Sequence, residues 1–160
     1  MKNYAIIIDE KIVHKYKAES PLSFGGKWGS NEAVHKVIPS TVQYDYAELK
    51  SGKIANATGT LDKLKEIKKA EAMANYKAVV KSKYDTIDQV VMQSQMSRLV
   101  DKKLNGDTLT TAETTQYTEI QTKQSQIESL YNQAETHCTA IDKLTSISSA
   151  SSYDTAISNV

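Results

Sequence analysis

From Leu61 to Leu104 the chain contains neither proline nor glycine, and no other feature constrains its fold as strongly. Those are the two residues that disrupt helices, whereas Ala, Lys, Glu, Gln and Met, all frequent in this stretch, favour them. Apolar side chains recur at Leu61, Leu64, Ile67, Ala70, Met73, Tyr76, Val80, Tyr84, Ile87 and Val91, followed by Gln95 and Leu99. Their mean spacing of about 3.5 residues is the period of a left-handed coiled coil rather than of a straight helix on a globule. As one helix the stretch would be about 60 Å long at about 1.5 Å per residue. Thr60 is placed to cap its start, and Asp62 in the first turn suits the helix dipole.

Asn105-Gly106-Asp107 closes that helix, with Gly106 suited to a left-handed cap behind the last leucine. Thr110 and Glu113 then have the spacing of a capping box, so a second helix is expected from about Thr111. Its seam runs Tyr117, Ile120, Gln124, Ile127, Tyr131, Ala134, Cys138 and Ile141, in alternating steps of three and four. Two long helices joined by a short link are usually antiparallel neighbours. Neither has a wide apolar face, so the hairpin is expected to associate with further copies. The interface expected from this reading comprises Leu64, Ile67, Val80, Ile87, Val91, Ile120, Ile127, Tyr131 and Ile141.

Residues 1–57 read differently. Tyr4-Ala5-Ile6-Ile7-Ile8 is a strand-forming run, Asp9-Glu10-Lys11 can turn, and Ile12 to Tyr16 can return as a second strand. Ser20-Pro21 and Gly25-Gly26-Lys27-Trp28-Gly29 mark an exposed loop. Val34 to Ile38 is a further short strand, Val42 to Leu49 alternates, and Lys50-Ser51-Gly52-Lys53 supplies a turn before Ile54. The expected fold class is α+β: a small N-terminal antiparallel β meander of four or five strands, followed by two long coiled-coil-type α-helices. The corresponding domains are a docking module at 1–57, a helical hairpin or stalk at 58–145, and a Ser-rich tail at 146–160.

Composition suits an elongated molecule. Of the 160 residues 39% are hydrophobic and 7% aromatic, with 9 Tyr against one Phe and one Trp, which is lean for a thick core and adequate for a narrow seam. The 20 basic and 19 acidic residues leave a net charge of +1, and Arg98 is the only arginine, so neither nucleic acid nor an anionic membrane is an expected partner. Cys138 stands alone, which excludes an internal disulfide framework. No apolar run approaches the roughly 18 residues of a membrane span. The run at Ala5–Ile8 is too short for the core of a signal peptide, so synthesis and assembly in a cytoplasm are expected.

No complete catalytic or ligand-binding constellation is present in the sequence. His14, His35 and His137 are far apart, and none belongs to a metal-binding motif. His137 and Cys138 point about 100° apart on a helix and cannot converge as a couple; Cys138 reads as a small hydrophobe on the seam. Asp9, Glu10, Asp45 and Glu48 could supply a carboxylate pair, but a general acid needs a pocket to shift its pKa. The glycine loop at 25–29 lacks the Lys-Ser/Thr pair of a phosphate loop; its Trp28 reads as loop cover for the sheet or an anchor for a partner. Lys63, Lys65, Lys68 and Lys69 alternate with Asp62, Glu66 and Glu71, giving a soluble helix face rather than a basic patch. No catalytic residue, cofactor or metal is expected.

The hairpin Tyr44-Asp45-Tyr46-Ala47-Glu48-Leu49-Lys50-Ser51-Gly52-Lys53-Ile54, the Lys/Glu/Ala-rich helix behind it, and the Asn-Gly turn leading into a second helix at Asn105–Thr111 resemble small tail-associated proteins of bacteriophages. These are tail-fibre, collar-fibre or tail-fibre-assembly components, many of them trimeric. The resemblance implies a non-enzymatic virion structural protein, partnered by its own copies and by other virion proteins. The alternatives are an assembly chaperone or adaptor absent from the particle, and a small hydrolase.

Overall fold

The computed structural model describes residues 1–22 and 34–158 of the chain. The loop from Gly25 to Gly29, with Trp28, lies outside the described residues. Two compact units are present, Met1–Lys63 and Leu64–Val160.

In the first unit β1 (Lys2–Ile8) lies between β2 (Lys11–Ala18) and β3 (Val34–Val37), antiparallel to both. A separate hairpin pairs β4 (Ala47–Lys50) with β5 (Lys53–Asn56). The expectation of a single meander is therefore corrected: β3 returns to pair with β1, and the last two strands form their own ladder. The physical reason lies in β1, where Tyr4, Ala5, Ile6 and Ile7 are all buried. A strand apolar on both faces belongs in the middle with cover on each side. On one face Tyr4 and Ile6 pack with Tyr16, the two tyrosine rings stacked at 5.3 Å. On the other, Ala5 packs with Ile38 and Ala47, flanked by Val42, Tyr44 and Ile54 from the region of the second hairpin.

Both hairpin turns form where the sequence indicates. Asp9 and Glu10 have φ of 49° and 59°, and Ser51 and Gly52 have 47° and 74°, the left-handed pairs that match the twist of two-residue hairpins. The alternating segment expected as strand from Val42 to Leu49 is instead a short 3-10 turn at Tyr44–Tyr46 leading into β4. Asn56 fixes the entry to that turn, accepting from the Gln43 N–H at 2.8 Å and donating to the Thr41 carbonyl at 3.3 Å.

The expectation of two long helices is also corrected, because the first stretch divides into α1 (Thr60–Lys83) and α2 (Thr86–Leu104). Asp85 is extended and its carboxylate accepts from the Asp88 N–H at 2.8 Å, capping a new helix without any proline or glycine. Gln89 satisfies the Tyr84 carbonyl left behind, at 2.9 Å. Thr60 is the first residue of α1 rather than its cap, and its hydroxyl donates to the Ala57 carbonyl at 2.6 Å.

The end of α2 and the start of α3 (Thr111–Asp142) follow the sequence closely. Gly106 has φ of 82°; its N–H reaches the Lys103 carbonyl at 3.2 Å while the Asp107 N–H reaches Lys102 at 3.0 Å, a Schellman closure. Thr110 and Glu113 form the reciprocal capping box. Helix α3 then returns antiparallel to α2 and the following turns of α1. Lys102 meets Glu113 at 2.7 Å, the Tyr84 hydroxyl donates to Gln126, Tyr76 meets Tyr131 edge-on at 5.6 Å, and Lys69 meets Asp142 at 2.9 Å. A last short helix, α4 (Ile147–Ser151), precedes an irregular segment from Tyr153 to Ser158.

Candidate interaction surface

The interior of the helical unit determines what its exterior can offer. Met92, Leu99 and Ile120 are buried together, with Tyr84, Met96, Leu109, Tyr117 and Ile127 packed around them. Leu130, Ala134 and Ile141 continue the buried side of α3. Ile120, Ile127, Ala134 and Ile141 recur every seventh residue, so one seam of the second helix is a true heptad position. On the other, Tyr117 packs on the core and Cys138 is half-buried as expected, but the burial moves by one residue in between. Leu130 is fully buried and Tyr131, the expected seam residue, is exposed at the side. Gln124 is exposed as well.

Among the interface residues expected from sequence, Leu64, Val80, Ile120 and Ile141 are buried inside the chain and Ile127 is half-buried. Ile67, Ile87, Val91 and Tyr131 are exposed. The seam expected to be continuous thus divides into an intrachain part and an outward part. On α2 the new start at Asp85 accompanies a change of face, with Met92 rather than Val91 buried; Ile67 on α1 and Tyr131 on α3 face outward independently of that break. A sequence signal for the break exists: Asp85 with Asp88 three residues on is a helix-start pattern.

On the outward side of α2, Ile87, Val90 and Val91 are 73%, 65% and 44% exposed and share one face at the i, i+3, i+4 spacing. Three adjacent aliphatic side chains open to water at the start of a helix form the most apolar part of the described surface of that helix. The outer face of α3 has a different character. Thr114, Thr118 and Thr122 each donate their hydroxyl to the carbonyl four residues earlier, at 3.0, 3.0 and 2.9 Å. These threonines line a shallow, open hollow of about 520 Å³ beside Tyr84.

Charged groups are distributed as fasteners. The Lys102 ammonium, and then the Thr110 backbone N–H, hold the Glu113 carboxyl at about 2. The hydrogen bond to Asp142 raises Lys69 above its ordinary value. Hydrogen bonds from Lys68 and then Thr155 keep Glu71 below the usual carboxylate range. Burial pushes the Cys138 thiol up, which keeps it protonated and consistent with a packing role. His35 lies beside Tyr16, its Nδ1 2.7 Å from the phenol oxygen, and His137 beside Tyr153 and Ala156. Glu48 is paired with Lys50 at 2.8 Å, and the Asp45 carbonyl accepts from Lys15 at 3.0 Å. Among the described residues no three His, Cys, Asp or Glu side chains are grouped to hold a metal ion. No described helix is long and apolar enough to cross a membrane.

Neither protein-family models nor curated proteins nor solved structures yield a match to this chain.

Proposed function

We propose that the chain is a non-enzymatic structural subunit of a bacteriophage tail or fibre, docking through its β-rich N-terminal unit on a neighbouring virion protein and self-associating through its helices, with a trimer favoured. The observation that carries the self-association is the uncovered aliphatic face of α2, Ile87, Val90 and Val91, on a helix whose opposite side is already committed to the chain's own core. Contiguous exposed apolar side chains mark contact surfaces. The assignment to a tail rests on the resemblance of Tyr44–Ile54 and Asn105–Thr111 to tail-associated proteins. Light scattering over a concentration series tests it: a stable trimer or higher cyclic species is expected, shifted towards monomer by Ile87→Asp. A monomer at high concentration counts against it.

A second reading, an assembly chaperone or adaptor absent from the finished particle, is favoured by one observation. The hairpin closes its own core through Leu99, Ile120, Leu130 and Ile141, so a monomer would be complete and still present an apolar face to a client. Mass spectrometry of purified virions separates the two, since presence of the chain supports the structural subunit and absence supports the adaptor.

A further inference from the structure

The closure between α2 and α3 holds a chemically reactive pair. Asn105 is the one asparagine in the sequence that is followed by glycine. With no Cβ beside it, the glycine nitrogen is the backbone nitrogen best able to reach the side-chain amide carbon of the residue before it. Residues 103–108 are exposed, so water reaches both. Asn56 and Asn75 differ on both counts. They precede Ala57 and Tyr76, and their side-chain amides are engaged, the first with Gln43 and Thr41 and the second with Thr155. Among the described residues no hydrogen bond holds the Asn105 side-chain amide.

The closed backbone opposes the reaction. Asn105 has φ −81° and ψ 1°. At that ψ the Gly106 nitrogen eclipses the Asn105 nitrogen and is turned away from Cβ, out of reach of Cγ. Bringing it round requires rotation about the Cα–C bond of Asn105. That rotation breaks the Gly106 N–H bond to the Lys103 carbonyl, at 3.2 Å, and the Asp107 N–H bond to the Lys102 carbonyl, at 3.0 Å. The end of α2 is in turn fastened to α3 by Lys102 and Glu113 at 2.7 Å. The reactive geometry therefore belongs to the opened closure.

We propose that Asn105 is a site of spontaneous deamidation, gated by opening of the α2–α3 closure. In the opened form the Gly106 nitrogen gives up its proton and bonds to Asn105 Cγ; the Cγ–Nδ2 bond breaks, and ammonia leaves with that proton. Water then adds across either carbonyl–nitrogen bond of the cyclic imide, giving aspartate or isoaspartate. Both products put a negative charge at the C-terminal end of α2, where the helix dipole disfavours it, and one turn beyond Asp101. Isoaspartate also routes the main chain through Cβ, adding a backbone atom to a closure whose hydrogen bonds fix its length. The modification thus loosens the link that admits it.

Full-length chain is aged at mildly alkaline pH, folded and in guanidinium chloride, and sampled at intervals. Mass spectrometry of peptides prepared at mildly acidic pH locates amide-to-acid conversion, and isoaspartyl methyltransferase measures isoaspartate. In guanidinium chloride Asn105 should convert faster than every other asparagine. In the folded chain it should convert at least about tenfold more slowly, in proportion to the opened fraction. Glu113→Gln, with folding checked by circular dichroism, releases Lys102 and weakens the capping box; it should raise the folded rate roughly fivefold and leave the denatured rate unchanged. A different asparagine converting first in the denatured chain overturns the site. Equal rates in the folded and denatured chains overturn the gate, and a folded chain that never converts overturns the opening. A folded rate unmoved by Glu113→Gln overturns the role of the Lys102 fastening.

Discussion

Leu99 and Ile87 stand on the same helix and on the same apolar period in the sequence, yet the structure gives them opposite roles. Leu99 is fully buried against Met92 and Ile120, whereas Ile87 is 73% exposed. Replacing Leu99 by alanine removes transfer energy and leaves a cavity where α2 meets α3, a loss of about 2–5 kcal/mol. In a helical unit of this size, about 3 kcal/mol corresponds to a fall in Tm of about 12–24 °C. Ile87→Ala removes little buried surface and exchanges a β-branched residue for the best helix former, so its effect stays within about 0.5 kcal/mol in the dissociated chain. Thermal melts followed at 222 nm, from the lowest measurable concentration upward, distinguish these effects. The Leu99→Ala loss should be the same at every concentration, because the cavity lies inside one chain. The Ile87→Ala effect should grow with concentration as the outer face becomes covered. A Leu99→Ala chain that melts with the parent, or an Ile87→Ala chain equally destabilised at high dilution, would refute the division between inner and outer seams.

Other perturbations probe the local devices. Because the Glu113 carboxyl is depressed from 4.5 to about 2, its stabilising contribution is complete above its ordinary value and is lost as pH falls between those limits. NMR titration should place its midpoint near the lower limit, and Glu113→Gln should remove that part of the acid-induced loss. Gly106→Ala meets no atom within 4 Å but must hold φ at 82°, so a destabilisation of about 1 kcal/mol is expected by urea titration, arising from backbone strain alone. Asp85→Ala deprives α2 of its cap and should cost about 1 kcal/mol, with faster amide exchange confined to the first turn after Tyr84. Tyr16→Phe removes the phenol oxygen that accepts from the Leu22 N–H at 3.1 Å and lies 2.7 Å from His35 Nδ1; because Leu22 is itself exposed, a cost of about 0.5–1.5 kcal/mol to the first unit should be read from its own melting transition.

Features encoded by neighbouring residues were legible in the sequence. Both hairpin turns, the Gly106 closure and the Thr110–Glu113 box each depend on side chains a few positions apart, and each forms where the spacing indicates. Buried positions were legible only to within one residue. A 3.5-residue template identifies a stripe, but i and i+1 lie about 100° apart, and the partner helix selects between them. Leu130 was selected over Tyr131, and Met92 over Val91. Absence of proline and glycine concealed the break at Asp85, which arises from a side-chain cap. The pairing of β3 with β1 was hidden for a related reason, since it joins residues far apart in the chain. The unbroken burial of Tyr4–Ile7 was nonetheless written in the apolar run itself. The outward face of Ile87 and Val91 was detected as part of the seam without being distinguished from its inner part.

The α2–α3 connection also has a consequence for the order of folding. Its fastenings are short in sequence: Lys102 and Glu113 are 11 residues apart, and Thr110 and Glu113 only 3. Closing such a small loop takes well under a microsecond and helix growth follows rapidly, so this hairpin is equipped to nucleate the helical unit. The groove that holds Thr155, by contrast, joins residues 80 positions apart through Asn75. Contacts of that separation form only after the intervening chain has been ordered. The segment around Thr155 is therefore the last part of this unit to settle, arriving at a scaffold already built.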